Sequence, residues 1–105
     1  MAETHSLISE AFLAFSKEAP DHAKAWTEVV QNVAKASALD PKIRELAHLS
    51  VLAVLRLESG IPFHVQCAKQ AGATREEIIS AIFVGLPAAG HSVIQVLPAV
   101  LDALD

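Results

Sequence analysis

Apolar residues recur at intervals of three and four along nearly the whole chain, which is the spacing of one face of an α-helix. The first such segment covers residues 7–15 and is stopped by Pro20. We expect Asp21 to cap the next helix, whose apolar stripe consists of Trp26, Val29, Val30 and Val33. The pattern therefore predicts two amphipathic helices before residue 40.

The third helix is predicted to be the central one. Asp40 followed by Pro41 is a strong start signal, because a capping carboxylate precedes a proline at the first helical position. The helix should run to about Ser59 and stop at Gly60, which suits a left-handed C-terminal residue. Its side chains are apolar nearly all round, so we expect the helix to be buried on most sides.

Shorter helices are predicted in the second half of the chain. One begins at Pro62 and is closed by Gly72. Thr74 and Glu77 form a capping-box pattern that starts the next helix. The last apolar pattern contains Pro98, which should kink or divide the final helix.

Composition agrees with an all-α single domain over residues 1–105. The chain is 52% hydrophobic but only 5% aromatic, and it has no tyrosine. A β-sandwich would need more aromatic and β-branched residues. The mean hydropathy of +0.39 is high for so short a chain, so we expect other copies to cover part of its surface. The chain is thus predicted to be a homo-oligomer.

Charge and cysteine content exclude several classes of protein. The net charge is −4 and basic residues do not cluster, which argues against nucleic acid as a partner. The first residues lack a basic export signal, and polar residues interrupt each apolar run, so we expect neither export nor a membrane span. The single cysteine excludes an intrachain disulfide and fits a reducing cytoplasm.

Most of the candidate chemistry lies between residues 40 and 77. Glu45 and His48 share one helical face, either as a solvated edge or as a buried acid–base pair. His64 lies in the first turn of its helix, where it either packs as a cap or binds a ligand. Cys67 follows three residues later, as either a small buried hydrophobe or a nucleophile activated by the histidine.

A metal site is the other constellation that the sequence suggests. Glu45, His48, His64 and His91 are suitable ligand types. The pattern is short and lacks further carboxylates, so no metal and no cofactor are predicted. His91 follows a GLPAAG loop, where it either packs against the loop or lines a pocket, and Gly60 is a further pocket-lining candidate.

Two longer motifs resemble a known family. RELAHLSVLAVL begins at Arg44, HVQCAKQAGATREEI begins at His64, and an apolar helix with a glycine- and alanine-rich loop follows. Together they resemble the carboxymuconolactone decarboxylase and alkylhydroperoxidase D-like superfamily over about residues 38–100, most specifically in H-x7-G-A-T-x-E-E-I, from His64 to Ile78. The resemblance implies an all-α domain of about six helices that assembles as trimers or hexamers.

The chain departs from the redox branch of that superfamily. There a glutamate, a C-x-x-C pair and a histidine form a proton relay, with the cysteines seven and four residues before the histidine. Counting back from His64 places Leu57 and Gly60 at those positions, while the relay glutamate corresponds to Glu45. Cys67 is not one of the family cysteines and does not inherit their role. A dithiol cycle within one chain needs two sulfurs, so it is excluded.

The sequence therefore favours a small-molecule protein that acts on a carboxylate or lactone, as in the decarboxylase branch. His64 is the expected general acid–base and Glu45 its partner, with His48, Cys67, His91 and Gly60 as possible pocket lining. Two alternatives are a peroxidase-like protein with a degenerate thiol site and a non-catalytic assembly module. The candidates for a carboxylate clamp are the nearby basic residues, Lys42, Arg44, Arg56, Lys69 and Arg75.

Overall fold

The computed structural model describes residues 8–105, and every regular element in that range is helical. The predicted all-α fold is confirmed. The α-helices are α1 (Glu10–Glu18), α2 (Pro20–Ala36), α3 (Pro41–Leu55), α4 (Ile61–Gln70), α5 (Arg75–Ile82), α6 (Leu86–Ala89) and α7 (Leu97–Leu104). Three 3₁₀ segments connect the later helices, namely Glu58–Gly60, Phe83–Gly85 and Gly90–Val96. The expectation of about six helices is close, since α6 has only 4 residues.

The chain divides into two compact units, one that ends at Asp40 and one that spans Pro41–Asp105. In the first unit α1 packs against α2. Pro20 is the first residue of α2, so Ala19 occupies the N-cap position and Asp21 lies in the first turn. The predicted Asp21 cap is therefore wrong, because the helix starts at Pro20 and its N-cap, Ala19, lies two residues before Asp21. Residues 1–7, including the start of the first predicted stripe, lie outside the described part of the chain.

The apolar stripe of α2 is mostly exposed. Trp26 is 54% exposed and Val33 is 64% exposed, and Val29 and Val30 between them are about as open. Ala23, near the start of the helix, is buried. The amphipathic pattern predicted from the sequence is thus present, but the described residues leave its apolar face in contact with solvent.

The core of the second unit lies around α3 and α4. Helix α3 packs against α4 and α5, and α4 packs against α7. The side chains that form this core are aliphatic: Leu49, Leu52, Ala53, Ile61, Val65, Ala68, Ile78, Ile82, Val93, Val96 and Val100. No polar or charged residue among those described is fully buried, so the fold of this unit rests on aliphatic burial.

Helix α3 is less buried than its sequence predicts. Its buried residues are Leu49, Leu52 and Ala53, which share the side that faces the core. Four large apolar side chains on the rest of the helix are exposed, namely Ile43, Val51, Val54 and Leu55. The prediction of burial on most sides is wrong for the single chain, because neighbouring helices cover only part of this helix.

In the second unit the helix ends follow the predicted signals, except at the end of α3. This helix ends at Leu55 rather than at about Ser59, and Arg56 adopts the left-handed conformation with φ 56°. Gly60 has φ −87°, so the predicted left-handed role of that glycine is wrong. Gly72 closes α4 with φ 99° as predicted. Pro98 divides the last pattern, because it lies in the first turn of α7 directly after a 3₁₀ segment.

The predicted capping box at the start of α5 is confirmed. The Glu77 backbone N–H donates to Thr74 Oγ1 at 3.1 Å, and the Thr74 N–H donates to Glu77 Oε1 at 2.9 Å. Lys42 Nζ, from α3, lies 2.9 Å from Glu77 Oε2. The Thr74 N–H, and secondly Lys42, hold the pKa of Glu77 below its usual value. The box therefore links the start of α5 to the start of α3.

Replacing Thr74 with alanine should destabilise the protein by about 1 kcal/mol, because the Glu77 N–H loses its acceptor. The melting temperature should fall by about 5 °C in a thermal melt. Because the folded-state pKa of Glu77 is depressed, its contribution is present above the unfolded value of 4.5 and is lost as the pH falls through the folded value. Thr74→Ser keeps the acceptor oxygen and should melt close to wild type. Equal losses in both variants would contradict the capping account.

One described segment, Arg75–Leu104, is long and apolar enough to cross a membrane, with a mean hydropathy of 1.5. A single such segment is weak evidence for a span, because core helices of soluble proteins pass the same test. Here the segment is broken by the 3₁₀ turns Phe83–Gly85 and Gly90–Val96. The absence of a membrane span stays a prediction from the sequence.

Candidate functional site

The candidate site is built on a hydrogen bond between α3 and α4. Pro62 and the preceding 3₁₀ turn start α4 so that His64 lies in its first turn. There the imidazole Nδ1 lies 2.9 Å from Glu45 Oε1 on α3. The side chains are 24% exposed for His64 and 19% exposed for Glu45. The two residues that the family spacing singled out are therefore neighbours, and solvent reaches only part of each.

The Glu45 carboxylate is stabilised in its charged form. Partial burial raises its pKa, but the hydrogen bond from His64 and the charges of His64, His48 and Arg44 lower it by more. The net pKa lies below the usual value of 4.5. Glu45 is therefore ionised at neutral pH and accepts hydrogen bonds without donating any.

Two further aromatic rings hold the His64 imidazole. The His48 ring stacks on it with centroids 3.9 Å apart and planes 19° apart. The Phe63 ring meets it edge-on at 5.3 Å. Loss of hydration, and secondly the charge of His64, lower the pKa of His48, although Glu45 opposes the shift. His48 is thus uncharged at neutral pH and packs over one face of the His64 ring. The sequence predicted either a solvated edge or a buried acid–base pair for Glu45 and His48, and neither included this stacking.

Cys67 completes the polar group on α4. It lies three residues after His64, and the donor atoms of Glu45, His64 and Cys67 all lie within 4.8 Å of one another. Burial, and secondly the nearby Glu45 charge, raise the pKa of the Cys67 thiol above its usual value of 9.0. The thiol is therefore protonated at neutral pH, which is unfavourable for a nucleophile.

A family comparison identifies the group to which this arrangement belongs. The model of the carboxymuconolactone decarboxylase family matches residues 20–103, most of the chain. The chain belongs to the carboxymuconolactone decarboxylase family. The match confirms the resemblance found in the sequence and extends it into α2. A search of curated proteins finds no match.

In this family member two other residues were predicted to line the pocket, His91 and Gly60. His91 is exposed in the 3₁₀ segment after α6, and no described hydrogen bond or ring contact joins it to Glu45 or His64. Gly60 lies directly before α4, and a Cβ there would meet the Leu52 side chain at 3.4 Å. Position 60 thus faces the core. It is one of the two positions that correspond to the cysteines of the redox branch.

Most of the basic candidates for a carboxylate clamp are engaged elsewhere. Arg75 Nη1 lies 2.9 Å from Asp105 Oδ1, and Lys42 is paired with Glu77. Arg56 lies 4.0 Å from Glu58, and Lys69 is exposed at the end of α4. Arg44 is the basic residue whose charge acts on Glu45. It also precedes His48 by one helical turn on α3. Among the five candidates, this electrostatic effect and the spacing on α3 favour Arg44.

An open apolar groove lies on another side of α3, and we call it the α3–α5 groove. Its volume is about 560 Å³, and its lining comes from α3, α5 and the residues just after α5: Ile43, Leu46, Ala47, Ser50, Glu76, Glu77, Ser80, Ala81 and Val84. Helical spacing places this lining on the face of α3 opposite Glu45 and His48. The sequence reasoning missed the groove, whose signal is the small residues Ala47, Ser50 and Ser80 in its lining.

Proposed function

We propose that this member of the family is an acid–base enzyme that acts on a small lactone acid or a related carboxylate. The single observation that carries the proposal is the 2.9 Å hydrogen bond between Glu45 and His64, which aligns a carboxylate with a partly exposed imidazole. Family membership supports a carboxymuconolactone as the first substrate to test.

The hydrogen bond sets which imidazole nitrogen does the chemistry. An ionised Glu45 can only accept, so the proton of a neutral His64 resides on Nδ1. Nε2 then carries the lone pair and is free to exchange a proton with a substrate. In this proposal His64 transfers the proton, and Glu45 orients the imidazole of His64.

Decarboxylation of a lactone acid needs one proton at a defined place. When the bond to the carboxylate breaks, CO₂ departs and the electron pair of that bond stays on the lactone. His64 first takes up a proton from solvent at Nε2, and Nε2 then donates that proton to the electron pair, which returns the imidazole to its neutral form. The step forms one C–H bond for each C–C bond broken, and no oxidant or reductant is needed.

Arg44 is our candidate for holding the substrate's negative charge. Its positive charge lies close enough to act on Glu45, and a guanidinium binds carboxylates through two parallel hydrogen bonds. His48 stacks on His64 and covers one face of the ring. The carboxylate of a bound substrate would then lie near Arg44 and its reacting carbon near His64.

The peroxidase-like alternative has weaker support. Peroxide reduction needs a thiolate, and burial with the nearby Glu45 raises the pKa of Cys67. The acid–base proposal uses the same Glu45 and His64 without requiring sulfur chemistry.

A thermal-shift experiment with a carboxymuconolactone tests the proposal. At about 100 times its dissociation constant, a ligand adds roughly 2.7 kcal/mol of stability, which raises the melting temperature by several degrees. Wild type and His22→Ala should show this rise, because His22 is an exposed residue on α2. His64→Ala should show little or none. A rise of equal size in all three proteins would contradict the proposal, and so would no rise in any.

We also propose that the chain is a homo-oligomer, which the exposed apolar stripe of α2 supports. Trp26 and Val33 at its ends are each more than half exposed, at 54% and 64%. A contiguous apolar face of this kind is typical of an interaction surface. Sedimentation equilibrium should give a mass above one chain for wild type and a smaller mass for Val33→Glu. A wild-type mass of one chain would refute the assembly. The alternative of a non-catalytic assembly module also requires an oligomer, so this result would refute it too.

A further inference from the structure

We propose that Glu45, His64 and Cys67 form a binding site for a divalent transition-metal ion that accepts thiolate ligands, such as Zn²⁺. The three side chains offer a carboxylate oxygen, an imidazole nitrogen and a sulfur within 4.8 Å of one another. These are the three ligand types that Zn²⁺ takes in proteins. The site differs from the one that the sequence suggests, because it replaces His48 and His91 with the cysteine.

The separations are close to those of a tetrahedral site. Zinc lies about 2.0–2.3 Å from such ligands, so its donor atoms are roughly 3.3–3.6 Å apart. The present donors lie within 4.8 Å of one another, at most about 1.2 Å beyond the upper end of that range, so movements on this scale would place all three on one ion.

The backbone holds the three ligands on regular structure. His64 and Cys67 are three residues apart on α4, so their side chains share one face of that helix. Glu45 comes from α3, and α3 packs directly against α4. The stacked His48 ring and the edge-on Phe63 ring restrict the orientation of His64. Ligands fixed on packed helices lose little freedom on binding an ion.

The site would have three protein ligands and an open fourth position. Glu45 and His64 are each partly exposed, so water can reach the ion from the solvent side. This number of ligands is typical of zinc sites that retain a bound water. Coordination replaces the thiol proton of Cys67 with the ion and releases that proton to solvent. The carboxylate and the thiolate then balance the two positive charges of the ion.

Metal binding and the acid–base role would exclude each other, because the ion takes the same Glu45 and His64 donors. Metal binding depends only on these three side chains and does not require enzyme activity. If the proposed function also holds, zinc should inhibit it, and removal of the metal with a chelator should restore it.

Cobalt titration of the full chain tests the site. Co²⁺ substitutes for Zn²⁺, and its absorption spectrum reports both tetrahedral geometry and ligation by a thiolate. Wild type should bind one equivalent with both signatures, and added Zn²⁺ should abolish them. Cys67→Ser should lose the thiolate band, and its affinity for Co²⁺ should fall about 100-fold. Loss of a residue that only hydrogen-bonds to a metal ligand already costs about 10–100-fold in affinity, and Cys67 would bind the ion directly. His64→Ala should weaken binding similarly.

His22→Ala is the matched control, because it removes an exposed imidazole from α2 and leaves the three ligands in place. It should bind cobalt as wild type does. Circular dichroism shows whether each variant retains its helices. Absence of the thiolate band in wild type, or equal affinity of wild type and a folded Cys67→Ser, overturns the proposal. Binding of carboxymuconolactone is measured separately in EDTA. The metal site and the proposed function can therefore fail independently of each other.

Discussion

Replacing Glu45 with glutamine should lower turnover of a carboxymuconolactone by about 10²–10⁴-fold, with a smaller effect on substrate binding. The substitution keeps the size of the side chain but removes the negative charge 2.9 Å from His64 Nδ1. A neutral amide can donate as well as accept, so it no longer selects the tautomer with a free Nε2. Loss of the carboxylate partner of a catalytic histidine reduces turnover on this scale. Initial-rate kinetics of CO₂ release measure the effect.

A control for this prediction is Glu76→Gln. Glu76 is exposed in the first turn of α5 and lies on the α3–α5 groove, on the other side of α3 from the candidate site. It should retain wild-type turnover. An unchanged rate in Glu45→Gln would contradict the role of the carboxylate, whereas equal losses in both variants would point to a general effect of charge.

Truncating Leu49 to alanine should have the largest effect on stability. Leu49 lies in the middle of α3 and is 0% exposed. Removal of a fully buried leucine side chain loses its transfer free energy and leaves a cavity, which together destabilise a protein by about 2–5 kcal/mol. The melting temperature should fall by roughly 10 °C or more for a chain of this size. Chemical denaturation followed by circular dichroism gives the free energy of unfolding.

Leu57→Ala removes the same atoms from a side chain that is 49% exposed and lies outside the core. Its loss should be near 1 kcal/mol or less, because little buried surface and no cavity are involved. The difference between the two variants therefore measures burial rather than residue type. Similar losses for both would mean that the core assigned to the second unit is wrong.

The sequence predicted helix boundaries well where a local signal was strong. The Thr74–Glu77 box and the left-handed Gly72 each depend on a few neighbouring residues, so a short segment of sequence is enough to predict them. The end of α3 was predicted less well. Gly60 looked like the terminal residue, but Arg56 takes the left-handed conformation instead, a choice that glycine content does not reveal.

Burial of α3 and the composition of the site depend on packing between helices. Periodicity shows that α3 is apolar, but not which neighbours cover it, and four of its large apolar residues are exposed. The Glu45–His64 pairing could be predicted only through the family spacing, since nineteen residues separate the two positions. The stacking of His48 and the approach of Cys67 depend on how α4 packs on α3. A single sequence does not reveal the angle at which α4 crosses α3.

The most direct test of the central claim is release of CO₂ from a carboxymuconolactone by the purified protein in EDTA, with His64→Ala measured beside wild type. The account predicts steady release by wild type and a rate lower by about 10²–10⁴-fold in the folded variant, since the proton donor is lost. Equal rates in the two proteins, or no release by wild type, would contradict it.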